Sequence, residues 1–168
     1  WSSDKNLDFV IQTGPVMVKE VAECFAALGA ENVQVLSYIE NMPAALLRAD
    51  LVVCRAGAST LAELQVVGRP SILVPFPHAT DDHQLSNARD MENAGAAKVL
   101  EDHLCSGESL VAAVGELLAD RTLLTGMGAA AVKMARPLAA QNIARDMLYF
   151  CGHEAGRKAV AHIDPSHG

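Results

Sequence analysis

The sequence has little positive charge. Thirteen Lys and Arg stand against twenty Asp and Glu, for a formal net charge of −7. No basic field is available to hold polyphosphate or an anionic bilayer nonspecifically, so nucleic acid is not an expected partner. Long apolar runs are also missing: stretches such as Ser71 to Phe76 stop far short of the roughly 20 residues of a membrane helix. No charged head precedes an apolar signal core at the N-terminus, and the chain reads as soluble. The four cysteines, Cys24, Cys54, Cys105 and Cys151, form no C-x-x-C pair. Their mostly apolar neighbours suggest small core residues, reduced in a cytosol, rather than a disulfide framework. The first residue is Trp1 rather than Met, which reads as a piece of a longer protein.

Catalytic signatures are sparse as well. There is no Ser-His-Asp order, H-E-x-x-H or nucleophile elbow, and no carboxylate pair stands out as acid and base. Neither a Walker A loop nor a G-x-G-x-x-G fingerprint occurs, which argues against a dinucleotide-dependent dehydrogenase domain.

What is present is alternation. Five short apolar runs, Asp8 to Gln12, Val33 to Leu36, Leu51 to Cys54, Ser71 to Val74 and Ala97 to Leu100, have the length of buried strands. Between them, Val21, Cys24, Phe25 and Leu28 fall on one helical face before Gly29, and a second helix begins near Asn41 with Pro43 in its first turn. A third spans about Ser59 to Val67 before Gly68, and a fourth about Gln84 to Ala94 before Gly95. This order predicts an α/β fold, a Rossmann-like three-layer parallel sheet with right-handed crossovers and helices on both faces. The rest is helical: Leu110, Val111, Val114, Leu117 and Leu118 line one face behind a cap at Ser106, and helices over about Thr122 to Ala135 and Ala139 to Phe150 are separated by Pro137. One domain over residues 1–150 and a flexible tail over 151–168 are expected.

In such a sheet, ligands bind beyond the carboxyl ends of the strands. The loop after Cys54, Arg55-Ala56-Gly57-Ala58-Ser59-Thr60, combines small residues with a helix start, where free N–H groups and the helix dipole favour a phosphate. Glu63 follows one turn on. It suits the two hydroxyls of a ribose, or closes a capping box with Thr60.

After Val74 comes Pro75-Phe76-Pro77-His78-Ala79-Thr80-Asp81-Asp82-His83-Gln84, with Asn87 one turn further. Gln84 and Asn87 share a helical face and offer neutral donors and acceptors to sugar hydroxyls and phosphate oxygens. His78, Asp81, Asp82 and His83 can be drawn as a metal cluster, but their spacing matches no zinc pattern, and Asp81 and Asp82 suit a helix start. The loop after Leu36, with Tyr38, Ile39 and Met42, is either an apolar rim for a flat base or plain core. The residues alone lead to a nucleotide-type ligand and to no reaction.

Three ordered strings, Ala49 to Ala58, Pro75 to Gln84 and Asn93 to Ala97, closely resemble the C-terminal half of the MurG family, the undecaprenyl-diphospho-muramoylpentapeptide N-acetylglucosaminyltransferases of peptidoglycan synthesis (glycosyltransferase family 28). The likeness runs from about Leu7 to Tyr149. It implies the C-terminal, donor-binding domain of a GT-B fold, in which two Rossmann-like domains face each other across a cleft.

By motif position, the resemblance assigns Glu63 to the ribose hydroxyls of UDP-N-acetylglucosamine and the Ile39 backbone to the uracil edge, flanked by Tyr38 and Met42. Ala58, Ser59 and Thr60 would bring N–H groups to the diphosphate and sugar, and Asn87 would meet a hydroxyl of the N-acetylglucosamine. His83 and Gln84 stand where the family has a Gln-Gln pair, so His83 departs from the pattern.

The implied reaction is inverting transfer of N-acetylglucosamine to the lipid-linked muramoyl acceptor, with no metal and no cofactor. The Gly-Gly-Ser phosphate loop, the acceptor site, the catalytic base and the membrane-facing patch would belong to an upstream segment and N-terminal domain, and the whole enzyme to the cytoplasmic face of the membrane. Two alternatives share the fold: a stand-alone catalytic half that works with a membrane partner, and a noncatalytic nucleotide-sugar-binding module.

Overall fold

A computed structural model describes residues 7–77 and 83–150. The chain divides into two compact units, Trp1–Arg48 and Ala49–Gly168.

In the first unit, β1 (Phe9–Gln12), α1 (Gly14–Ala27), β2 (Val33–Leu36) and α2 (Met42–Arg48) follow in order. The strands pair in parallel, Phe9 opposite Val33 and Gln12 opposite Leu36. Pro15 sits in the first turn of α1, where its missing N–H costs nothing. The helix ends at Leu28, and Gly29 takes the left-handed φ of 65° expected of a C-terminal glycine.

The apolar face read from Val21, Cys24, Phe25 and Leu28 is only partly covered. Val21 and Phe25 are half-buried, whereas Cys24 is exposed and Leu28 is 70% exposed. Periodicity identifies an apolar stripe but not what lies over it.

The second unit contains β3 (Val52–Cys54), α3 (Ala58–Val67), β4 (Ser71–Leu73), α4 (His83–Asn93) and β5 (Ala97–Val99). A 3-10 turn over Asp102–Leu104 leads to α5 (Gly107–Ala119), α6 (Arg121–Met134) and α7 (Ala139–Phe150). Its three strands form a parallel sheet in the order β3-β4-β5. The five strands thus divide between two parallel sheets rather than sharing one ladder, and each lies within a residue or so of its sequence-based bounds.

The central strand β4 is buried along its whole length, as a strand paired on both edges should be. Ile72 packs with Ala113 and Leu117 of α5 and with Leu124 and Met127 of α6. Ser106 caps α5 by accepting the Ser109 N–H, and Asp120 caps α6 by accepting from Thr122 and Leu123. Val111, expected on the inner face of α5, is 49% exposed.

Helices α3 and α6 cross with almost no space between them. A Cβ added at Gly128 would lie 2.6 Å from the Gly68 carbonyl oxygen, and Gly68 itself, at φ +67°, ends α3 in the left-handed region.

Candidate functional site

The helices that follow β3 and β4, α3 and α4, carry most of the predicted ligand residues. After Cys54 the chain turns through Arg55 and the fully buried Ala56 to Gly57, whose extended backbone (φ −68°, ψ 140°) is the N-cap of α3. No side chain caps this helix. The first intrahelical bond runs from the Leu61 N–H to the Gly57 carbonyl at 3.0 Å. The N–H groups of Ala58, Ser59 and Thr60 therefore have no acceptor within the helix.

Because α3 begins at Ala58, Thr60 lies in its first turn and cannot serve as N-cap, so the alternative capping box of Thr60 with Glu63 does not form. Glu63 is exposed on the second turn, and no hydrogen bond or ion pair holds it among the described residues.

Asn87, half-buried on α4, joins Ala58 in lining a groove of about 200 Å3 whose floor includes Leu61, Ala62 and Met91. Two residues singled out from different loops thus meet on one surface. Glu63 is not among the residues lining that groove.

Gln84 is already engaged: its Oε1 accepts the Phe76 N–H at 3.0 Å, which pins the amide and leaves its NH2 end to donate. His83 is the first residue of α4 and is exposed. His78, Asp81 and Asp82 of the drawn metal cluster lie outside the described residues. Among the described residues no group of three or more metal-ligating side chains occurs.

In the first unit, Tyr38 is 68% exposed, so it is not a core residue, whereas Ile39 and Met42 are half-buried. The Ile39 N–H donates to Gln12 Oε1 at 2.8 Å, and among the described residues no backbone N–H bonds the Ile39 carbonyl. Asn41 Oδ1 accepts the Ala44 N–H at 3.0 Å and closes the first turn of α2.

Sequence reasoning missed Arg55, Asp102 and Gln12. From the end of β3, the Arg55 guanidinium donates to the Val74 and Pro75 carbonyls, both at 3.2 Å, and to Asp102 Oδ1. It also lies 5.5 Å from the centroid of the Phe76 ring, within range of a cation–π contact. One side chain therefore binds the segments that follow all three strands of its sheet.

The cysteines depart from the core reading. Cys24 is exposed, Cys54 and Cys105 are half-buried and free, and Cys151 lies outside the described residues. Burial pushes the Cys54 thiol up to about 11, so it stays protonated at neutral pH and is a poor nucleophile. A second staple fixes α4 to β5: Glu92 accepts the Val99 N–H at 2.9 Å and pairs with Arg89, which also holds Glu101. No described helix is long and apolar enough to cross a membrane.

Comparison with known proteins places this geometry in a family. Residues 1–143 match the Glycosyltransferase family 28 C-terminal domain. The chain is 46% identical over 139 residues to the UDP-N-acetylglucosamine--N-acetylmuramyl-(pentapeptide) pyrophosphoryl-undecaprenol N-acetylglucosamine transferase of Myxococcus xanthus, covering 83% of this chain and 36% of that protein. It is 45% identical over 133 residues to the Solibacter usitatus protein of the same name, covering 79% and 36%.

Among solved structures, MurG of Acinetobacter baumannii superposes with a TM-score of 0.73 at 37% identity, over 82% of this chain and 40% of that one. A kitacinnamycin glycotransferase, at 23% identity and a TM-score of 0.61, shares the fold. The chain spans about two fifths or less of the length of these relatives. It belongs to glycosyltransferase family 28, as the C-terminal domain, with the parallel sheets and flanking helices of the GT-B fold.

Proposed function

We propose that this chain is the donor-binding domain of an enzyme that transfers N-acetylglucosamine from UDP-N-acetylglucosamine to a lipid-linked muramoyl acceptor in peptidoglycan synthesis. The observation that carries the reading is the pairing on α3 of an exposed, unpartnered carboxylate, Glu63, with three N–H groups at Ala58, Ser59 and Thr60 that the helix leaves without acceptors. A carboxylate accepts both hydroxyls of a ribose, and a helix N-terminus favours the negative charge of a diphosphate.

On α4, Asn87 and the NH2 end of Gln84 supply the neutral donors that a sugar needs, with His83 beside them. In the first unit, the turn carrying Tyr38, Ile39 and Met42 takes the base: the Ile39 carbonyl accepts from the uracil ring N–H. The Ile39 N–H becomes available once Gln12 moves aside.

The acceptor hydroxyl attacks the anomeric carbon from the face opposite the diphosphate. The C1–O bond to UDP breaks as the new bond forms, so configuration inverts. Charge grows on the leaving diphosphate, and the α3 N–H groups stabilise it electrostatically without a metal ion or cofactor. The base that removes the acceptor proton, and the acceptor site, belong to a second domain. In the whole enzyme that domain approaches the lipid from the cytoplasmic side of the membrane.

Titration of UDP-N-acetylglucosamine into this chain, followed by NMR with UDP-glucose, GDP and NAD as controls, tests the reading. Shifts at Ser59 to Glu63, at Gln84 to Asn87 and in the Tyr38 to Met42 turn, at an affinity on the order of 1 mM (about −4 kcal/mol) and lost in Glu63→Ala, are expected. Equal response to GDP and NAD, or none to any uridine ligand, overturns it.

A further inference from the structure

We propose that Arg55 and Asp102 are positioning residues for the sugar end of the donor, acting through Phe76 on the Gln84 amide. The inference rests on the donor reading above and goes beyond it, because neither residue carries a predicted ligand contact.

The chain of contacts is continuous. Asp102 accepts from the Arg55 guanidinium, which donates in turn to the Val74 and Pro75 carbonyls at 3.2 Å and lies 5.5 Å from the Phe76 ring centroid. The next peptide N–H, that of Phe76, donates to Gln84 Oε1 at 3.0 Å. An amide whose oxygen is fixed has its NH2 direction fixed as well, so the backbone at Phe76 decides where the Gln84 donor points.

All three bonds leave one guanidinium nitrogen, Nη1, while the group also lies over the Phe76 ring; a lysine ammonium has no flat face to stack there. Asp102 orients that nitrogen from the turn that follows β5. The ion pair is half open to water, with 50% and 37% of the two side chains exposed. By itself it adds little stability. Its effect is geometric: three segments that follow three strands are held by one planar group. A guanidinium released from Asp102 is free to rotate, and both carbonyl bonds then compete with water.

The test uses Asp102→Asn in the intact chain, with Arg55→Lys beside it, and compares UDP-N-acetylglucosamine with UDP alone. Asp102 touches no predicted ligand residue, and its exposure makes unfolding by the amide substitution unexpected, which a thermal melt checks. We expect Asp102→Asn to melt like wild type, to exchange the Phe76 amide about tenfold faster and to shift the Gln84 side-chain NH2 resonances. It should weaken UDP-N-acetylglucosamine by about tenfold while leaving UDP unchanged. A general loosening of the fold would weaken both ligands alike.

Equal losses for the two ligands, or unchanged Phe76 exchange with unchanged binding, overturn the proposal. Wild-type chain that binds neither uridine ligand removes the donor reading and the sugar role with it. Wild-type chain that binds both, with variants indistinguishable from it, removes this inference alone.

Discussion

The two units of this chain are built to different standards of burial. Leu46 is the one buried hydrophobic residue of the first unit among those described, whereas the second has Leu64, Ile72, Leu73 and Met91 at 1% exposure or less. Both have parallel strands joined by helices, so topology does not separate them. What differs is the number of layers each β-strand touches. β4 is paired on both sides and lies beneath α5 and α6. β1 and β2 pair only with each other and hold half-buried and exposed positions with no buried one.

The segments that follow the strands differ in the same way: those of the second unit are fixed by Arg55, Gln84 and Glu92, and that of the first by single bonds to Gln12 and Asn41. The turn after β2 is thereby the more adaptable of the two regions.

Core truncation tests this contrast most forcefully. Leu64, fully buried in α3, should cost about 2–5 kcal/mol when replaced by Ala. Ile11→Ala, at a half-buried position of β1, should cost roughly 1–2 kcal/mol because less apolar area leaves water on folding. Urea unfolding gives both numbers. Equal losses would mean that the first unit is as firmly built as the second, and the contrast would fail.

The second unit should also reveal its burial through pH. Folding raises the Cys54 thiol from its ordinary 9.0 to about 11, so between those values the folded state holds a proton that the unfolded state has lost. Stability from this group is complete below pH 9 and falls as pH rises towards 11, by roughly 2–3 kcal/mol in all. Unfolding curves measured at pH 8 and pH 11 on wild type and Cys54→Ala isolate it: the variant should lose less on going alkaline. Cys24, exposed in the first unit, should meanwhile be alkylated far faster than Cys54 at pH 8. Comparable rates would show that β3 opens as readily as the surface of α1.

A matched pair of glycines in α6 sharpens the point within one helix. Gly128→Ala drives a Cβ to 2.6 Å from the Gly68 carbonyl oxygen, a backbone atom that cannot swing away. It should destabilise by about 1–3 kcal/mol. Gly126→Ala meets nothing within 4 Å and should stabilise the helix by about 0.5–1 kcal/mol. Opposite signs in thermal melts are the expected result, and the same sign for both would refute the close crossing of α3 and α6.

Much of this was legible in the sequence because it is local. Gly29, Gly68 and Gly95 end helices with φ between 65° and 73° as their positions suggested. Apolar runs set the strands to within a residue or so, and Ser106 announced α5. Helix starts were harder where two signals compete. Thr60 and Glu63 have the spacing of a capping box, but Gly57, three residues earlier, supplies an extended backbone and starts α3 first.

The polar ties were not legible at all. Arg55 and Asp102 are 47 residues apart, and Gln12 and Ile39 are 27 apart, so neither pair leaves a periodic or spaced trace. They exist only because parallel pairing brings the segments after successive strands together. Sequence reading therefore reaches candidate residues that sit in local patterns and misses the long-range bonds that hold the strand ends together.

Gln12 gives the smallest and most specific effect. Its Oε1 takes the Ile39 N–H at 2.8 Å across exposed surface, so replacing it by Ala should leave the unfolding midpoint within about 0.5 kcal/mol of wild type. It frees one backbone donor that a nucleobase carbonyl can use. In the free chain the Ile39 amide should exchange faster in Gln12→Ala, by up to about tenfold. Uridine binding should tighten slightly, because the ligand no longer displaces an existing hydrogen bond. Weaker uridine binding in Gln12→Ala would mean the opposite: that this amide preshapes the turn, and that the first unit presents a fixed edge after all. The adaptable turn predicts faster exchange and tighter binding together, whereas a preshaped turn predicts faster exchange with loss of binding, so the two readouts on one variant decide between them.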